Sequence, residues 1–96
     1  MLCCSEHGNF SFLELKIVKG RKKFSIDISP HQVAWLSRHS NANVFVVCRD
    51  SRLVIHVFRG GAAVDLCMDS FNSVEAVALF KEPYDWSKFW ALTCPV

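Results

Sequence analysis

Phe12-Leu-Glu-Leu-Lys-Ile-Val-Lys-Gly20 is the stretch that decides the fold, because it places a carboxylate and an ammonium group inside a strand-like apolar run. Side chains two positions apart on a strand point to the same face, so Glu14 and Lys16 should project together. The opposite face should carry an unbroken apolar row, formed by Leu13, Leu15 and Ile17. We expect a strand that is apolar on both faces to be covered. A charge pair there costs free energy unless it is compensated, and a bound divalent cation with a phosphate would compensate it. The alternative is a sheet edge, where both charges lie in water.

The composition is that of one small globular domain spanning residues 1–96. The chain has 96 residues, of which 51% are hydrophobic and 21% charged, which suits a single core and is too small for two. The formal net charge of +2 does not by itself indicate a nucleic-acid-binding protein. No apolar run has the length of a membrane span, and no secretory leader is visible, so we expect an intracellular protein without a membrane partner.

The cysteine pattern agrees with an intracellular location. The chain has 5 cysteines, an odd number, with no Cys-x-x-Cys pair, which predicts reduced thiols. The one metal-like grouping is Cys3, Cys4 and His7, which lacks a fourth ligand at the spacing of a zinc site.

Apolar patterning and turn residues predict the element order β, β, β, α, β, β, β, α, α. The expected strands cover residues 1–4, 10–18, 24–28, 44–48, 53–58 and 63–68. The expected helices cover residues 30–39, a segment opened by a capping box of Asn72 and Glu75, and a short C-terminal helix with the aromatic stripe of Trp86, Phe89 and Trp90. This order indicates an α/β (α+β) single domain with a mixed central sheet of about five strands, flanked by helices.

The first helix has a well-defined start. Ser29 is a suitable N-cap, and Pro30 at the first helical position loses nothing by lacking an N–H group. Gln32, Trp35 and Leu36 should share one face by their spacing. The helix is therefore predicted to aim an amide, together with apolar residues, at the sheet face that bears Glu14. Trp35 and Leu36 are expected to be mostly buried.

Three segments together carry a resemblance to a known family. They read Phe-Leu-Glu-Leu-Lys at 12–16, Ile-Ser-Pro-His-Gln-Val-Ala-Trp-Leu at 28–36 after a basic turn, and Val-Phe-Val-Val at 44–47. This combination resembles the PD-(D/E)XK nuclease superfamily, particularly its small phage, virus-type replication-repair and Holliday-junction-resolvase-like members. The resemblance implies a restriction-endonuclease-like core that lacks its N-terminal helix. It also implies a phage-encoded, structure-specific, metal-dependent DNA endonuclease, located in the host cytoplasm.

The resemblance assigns roles to particular residues. Glu14 would be a metal ligand, Lys16 would position or activate the attacking water and stabilise the phosphate, and Gln32 would orient a site residue or water. Because Mg²⁺ or Mn²⁺ needs few protein carboxylates, the main-chain carbonyl of Leu15 could supply a further oxygen ligand. No organic cofactor is expected.

The chain departs from the family pattern at its start. The family's Pro-Asp motif, whose aspartate is the other metal ligand, would fall at or just before Met1, and no aspartate occurs before Asp27. Either the chain begins one or two residues late, or Glu6 substitutes, or the site is incomplete. The alternative function is therefore a catalytically incomplete nuclease-fold module that binds nucleic acid or mediates assembly.

Several further side chains are candidates for contacts with DNA. They are Lys19, Arg21, Lys22 and Lys23 in the basic turn and His31 at the helix start. The alternatives are a solvated basic turn and a partly exposed histidine. Trp35, Trp86 and Trp90 could stack on bases, although core packing is the favoured interpretation, and His56 is expected to be a hydrogen-bonded core residue.

We also expect a homodimer. Small nucleases of this type work as pairs, and the chain offers few places to bury its C-terminal aromatic residues. The predicted interface is the segment with Trp86, Phe89 and Trp90, the strand at residues 53–58, or both. The alternative is a monomer that folds its last helix back over its own sheet.

Overall fold

A mixed sheet forms the centre of the molecule. The computed structural model describes residues 1–5, 8–18, 28–40, 43–68 and 74–94. In those residues the strands are β1 (Leu2–Cys4), β2 (Phe10–Ile17), β3 (Val44–Arg49), β4 (Ile55–Arg59) and β5 (Ala78–Phe80), and the α-helices are α1 (Pro30–Arg38), α2 (Ala63–Met68) and α3 (Trp86–Thr93). The strand order is β1-β2-β3-β4-β5. The predicted α+β single domain with a mixed sheet is confirmed.

The charged stretch lies in the interior of this sheet, as predicted. β2 pairs antiparallel with β1 and parallel with β3, so that Glu14 is opposite Val46 and Lys16 is opposite Cys48. β3 is also interior, since it pairs antiparallel with β4 on its other side. Strand β2 is thus held on both edges by backbone hydrogen bonds, and its side-chain directions are fixed.

Helix α1 covers the sheet face that carries Glu14. Its N-cap is Ser29, whose side chain accepts a hydrogen bond from the backbone N–H of Gln32. Leu36 is buried on this face in one core cluster with Val46 and Phe58. The segment from β2 to β3 therefore connects two parallel strands through a helix packed on the sheet, which is a βαβ unit.

The opposite face is only half covered. Phe89 of α3 packs there with Leu13, Phe45 and Val57. The next two residues of the predicted apolar row lie beyond α3: Leu15 is 53% exposed and Ile17 is 61% exposed. The expectation that the whole row is covered was therefore wrong, because α3 is too short to span the length of β2.

Two predicted elements have a different conformation. Residues 63–68 were expected to form a strand and instead form α2, preceded by a 3-10 turn at Gly60–Ala62. Ala63 and Leu66 are buried with the helical spacing of three, so the packing follows a helical period. The prediction of a helix that opens at Asn72 is also wrong for the described part of that segment. There, Ala78–Phe80 pairs with β4 as an edge strand. Asn72 itself lies outside the described residues.

The strand expected at residues 24–28 lies outside the described residues except for Ile28, which is buried. Leu36 is fully buried and Trp35 packs against the same core with a minor part of its surface exposed, so both are mostly buried, as predicted. Among the residues that the structure describes, no helix combines the length and the apolar character that crossing a bilayer requires.

Candidate functional site

The structure brings Glu14, Lys16 and Gln32 together between β2 and α1. Nε2 of Gln32 donates a 2.9 Å hydrogen bond to Oε1 of Glu14. Nζ of Lys16 lies 3.5 Å from the same oxygen, and the side chains of Lys16 and Glu14 are 25% and 16% exposed. The carboxylate is thus oriented by an amide and partly neutralised by an ammonium group. Its second oxygen, Oε2, takes part in neither of these contacts.

The cap of α1 fixes the orientation of the Gln32 amide. Oε1 of Gln32 accepts a 3.2 Å hydrogen bond from the backbone N–H of Ser29, and Oγ of Ser29 accepts a 3.3 Å bond from the backbone N–H of Gln32. This reciprocal pair is a capping box. Because the amide oxygen is used by the cap, the amide nitrogen is the group that points to Glu14. Gln32 therefore has two roles, since it takes part in the cap of α1 and also orients the carboxylate of Glu14.

Cys48 lies beside Lys16 on the neighbouring strand of the same face. Burial raises the pKa of the Cys48 thiol to about 12, and the charge of Lys16 offsets this only in part. The thiol is therefore protonated at neutral pH. A neutral, buried thiol is neither a nucleophile nor a metal ligand, so Cys48 acts as a small apolar residue in the core.

An open cavity of about 390 Å³ adjoins the carboxylate. Its described lining residues are Phe12, Glu14, His31, Gln32, Trp35 and Leu36. His31 lies in the first turn of α1 and is exposed. The sequence-based assignment of His31 to the neighbourhood of the site is supported by this position, whereas its contact with DNA stays a prediction.

Of the other predicted site residues, the structure describes only Leu15. Leu15 lies on β2 between Glu14 and Lys16, so its carbonyl belongs to the backbone of the site, while its side chain is on the other face. Glu6, Lys19, Arg21, Lys22 and Lys23 lie outside the described residues. Within residues 1–5, 8–18, 28–40, 43–68 and 74–94, no group of three or more His, Cys, Asp or Glu side chains could hold a metal ion.

One hydrogen-bonded pair on the same face was not predicted. Asp50 follows β3 directly, and its Oδ2 lies 2.8 Å from Nε2 of His56 on β4. Oδ1 of Asp50 accepts bonds from the backbone N–H groups of Arg52 and Val54. Burial acts to raise the pKa of Asp50, but the bonds from His56 and from the two backbone N–H groups outweigh it and hold the pKa below its usual value. His56 is hydrogen-bonded as expected, although its partner could not be named from sequence spacing.

A Mg²⁺ or Mn²⁺ ion is compatible with the donors at Glu14. These ions prefer oxygen ligands, keep several waters, and are held by one or two carboxylates together with substrate phosphates. The Oε2 atom of Glu14 is such a donor, and Lys16 beside it can pair with a phosphate. No family model, curated protein or solved structure matches the chain. The function of the domain is therefore inferred from the contacts of Glu14 with Lys16 and Gln32.

Proposed function

We propose that this domain is a metal-dependent DNA endonuclease that hydrolyses phosphodiester bonds. The proposal is carried by one observation: Glu14 on an interior strand accepts a hydrogen bond from Gln32 and lies beside Lys16. Hydrolysis of a phosphodiester requires a carboxylate to hold a cation, a positive group near the phosphate, and control of the attacking water. The three side chains supply these in one place.

Each residue has a defined task in this proposal. Glu14 binds Mg²⁺ or Mn²⁺ through Oε2, and when bound the ion neutralises charge on the phosphate and acidifies a coordinated water. Lys16 donates a charge-assisted hydrogen bond to a phosphate oxygen and stabilises the negative charge that develops there. Gln32 holds the carboxylate in one orientation, because its own oxygen is bound to the cap of α1.

A second candidate function is a module that binds nucleic acid or mediates assembly without cleaving DNA. The observation that favours it is the lack of a three-membered group of possible metal ligands among the described residues. One carboxylate is the smallest number with which Mg²⁺ is held in proteins. A scaffold of this kind could keep Lys16 for phosphate contact and lose the hydrolytic reaction.

The two candidates differ in a direct cleavage assay. The purified chain is incubated with Mn²⁺ and supercoiled, branched or single-stranded DNA. If the nuclease proposal is correct, Glu14→Gln and Lys16→Met each lower the cleavage rate at least about 100-fold, the usual effect of removing one group that stabilises the transition state.

Matched controls are available on the exposed surface of the same chain. Glu75→Gln and Lys88→Met make the same chemical changes at exposed positions outside the site, and both should cleave at the wild-type rate. DNA binding without cleavage by the wild type would support the non-catalytic module. Equal cleavage by all four variants would show that the activity does not come from this site.

A further inference from the structure

Aromatic rings form the walls of the cavity beside Glu14. The rings of Phe12 on β2 and Trp35 on α1 are 4.9 Å apart between centroids, at 52°. Trp35 also stacks on His39, with 4.2 Å between centroids and an interplanar angle of 21°. His31, Trp35 and His39 are spaced by four residues and therefore follow one another along one side of α1. The groove between α1 and β2 is thus bordered by rings on both sides.

Trp35 and Phe12 separate two parts of this groove. Toward the N-terminus of α1 lies the cavity of about 390 Å³ that contains Glu14, Gln32 and His31. On the other side lies a shallower cavity of about 170 Å³, which is lined in part by Phe10, His39 and Asn43. Trp35 lines both cavities. The His39 ring stacks on Trp35 and the Phe12 ring packs against it, so the part of Trp35 that lines the larger cavity is the part that a ligand can reach.

We propose that this cavity binds an unpaired nucleobase, so that the preferred substrate has a nucleotide outside the duplex stack next to the bond that is cut. This inference rests on the proposed function, since the phosphate of that nucleotide would lie at Glu14 and Lys16. A base has an apolar face for the ring of Trp35 and a polar edge for groups such as the Gln32 amide. Stacking of bases on aromatic side chains is the usual way in which unpaired strands are bound.

The charge of Lys16, which lies beside the carboxylate of the cavity, favours a nucleic acid over an apolar peptide. In the sequence, β2 is followed by Lys19, Arg21, Lys22 and Lys23, which lie outside the described residues. Cations of this kind attract the phosphate backbone. A base in a paired duplex is stacked between its neighbours and cannot enter a cavity between a helix and a strand, whereas a bulged or single-stranded base can do so.

The test compares a fully paired duplex with the same duplex carrying a single additional unpaired 2-aminopurine in one strand. Affinities are measured by fluorescence anisotropy in Ca²⁺, and the 2-aminopurine emission reports stacking. We expect the bulged duplex to bind about tenfold more tightly, which is within the range that stacking of one base on an aromatic side chain provides. Binding should also quench the emission of 2-aminopurine.

Variants locate the effect at Trp35. Trp35→Leu should keep the fold, checked by circular dichroism, while the preference and the quenching are lost. Trp35→Phe should keep a large part of both, because it retains an aromatic face. Trp86→Leu is the matched control, since Trp86 is 49% exposed on α3 against the other sheet face, and it should behave as the wild type.

The outcomes separate this inference from the proposed function. Normal Mn²⁺-dependent cleavage with equal affinity for both duplexes would overturn the base-binding cavity and leave the nuclease proposal standing. If the protein prefers the bulged duplex only when Trp35 is present but cleaves no DNA, the base-binding cavity is supported and the nuclease proposal is contradicted. A preference that persists in Trp35→Leu would overturn the assignment of the base to this cavity.

Discussion

An aspartate added directly before Met1, behind a new initiator methionine, is expected to complete a two-carboxylate site with Glu14. The backbones of Met1 and Leu13 exchange two hydrogen bonds, 2.6 Å and 2.8 Å long, and Leu2 is opposite Phe12. Continuation of this antiparallel register places the preceding residue opposite Glu14, in a pair without mutual hydrogen bonds, where side chains are closest. The side chain of the added residue would lie on the same face of the sheet as Leu2, and Leu2 lines the same groove as Phe12.

The size of the effect follows from the charges. With an effective dielectric constant of about 20, a carboxylate and a divalent cation about 4 Å apart attract by about 8 kcal/mol, since two unit charges at this distance attract by about 4 kcal/mol. Repulsion from Glu14, at about 5 Å across the strand pair, takes away about 3 kcal/mol. Dehydration of the ion and of the carboxylate opposes most of the remainder. We expect a net gain of at least about 1.4 kcal/mol, which lowers the Kd for Mn²⁺ tenfold.

The assay is isothermal titration with Mn²⁺, and its control is the same extension with asparagine in place of aspartate. Thermal unfolding gives a second readout. Without metal, the aspartate protein should melt at a lower temperature than the asparagine protein, because two carboxylates repel each other. With saturating Mn²⁺ the order should reverse, because binding to the native state stabilises it. Equal Mn²⁺ affinities of the two proteins and no reversal would refute the inferred register and the assignment of Glu14 as a ligand.

Three other predictions follow from the described contacts. The pKa of Asp50 is lowered from its usual value of 3.8 in the folded state, so its contribution to stability is present above that value and is lost as the pH falls through the lower, folded value. Asp50→Asn, which also weakens the bond from His56, should therefore flatten the acid side of a plot of the free energy of urea unfolding against pH. An unchanged plot would contradict this. A Cβ at Gly60 would lie 2.8 Å from Cγ1 of Val44, so Gly60→Ala should lower the free energy of unfolding by about 1–3 kcal/mol; no change would show that the contact relaxes freely. Sedimentation at micromolar concentration should give about twice the 10.9 kDa chain mass, and Trp90→Asp, at an exposed position of the predicted interface, should give a monomer; a monomeric wild type would refute the predicted homodimer.

The core of the candidate site could be predicted because two short-range rules determine it. The period of two on β2 places Glu14 and Lys16 on one face, and the N-cap Ser29 followed by Pro30 fixes where α1 begins. Neither rule depends on distant parts of the chain. The parallel β2 and β3 pair then needs a crossover, and α1 is the element that makes it. The contact between Gln32 and Glu14 then depends on the rotation of α1 about its axis, which its packing on the sheet fixes.

The part that could not be predicted depends on tertiary contacts. Residues 63–68 are apolar enough for either a strand or a helix, and they form α2, with Ala63 and Leu66 buried in the core. The exposure of Leu15 and Ile17 depends on where α3 ends relative to β2. The partner of His56 depends on the β3 and β4 pairing, which brings Asp50 to it. Sequence spacing contains none of this information.

Helix α1 couples the stability of the domain to the geometry of the site. Leu36 fills the core against Val46 and Phe58, and this fixes the rotation of the helix about its axis. Gln32 and Trp35 lie four and one residues before Leu36, so the same rotation aims the amide at Glu14 and the indole at the groove. A substitution that loosens Leu36 would therefore displace the carboxylate and the aromatic wall together. For this reason the preference of Trp35 for an unpaired base and the orientation of Glu14 are expected to depend on one packing contact, although neither side chain is itself fully buried.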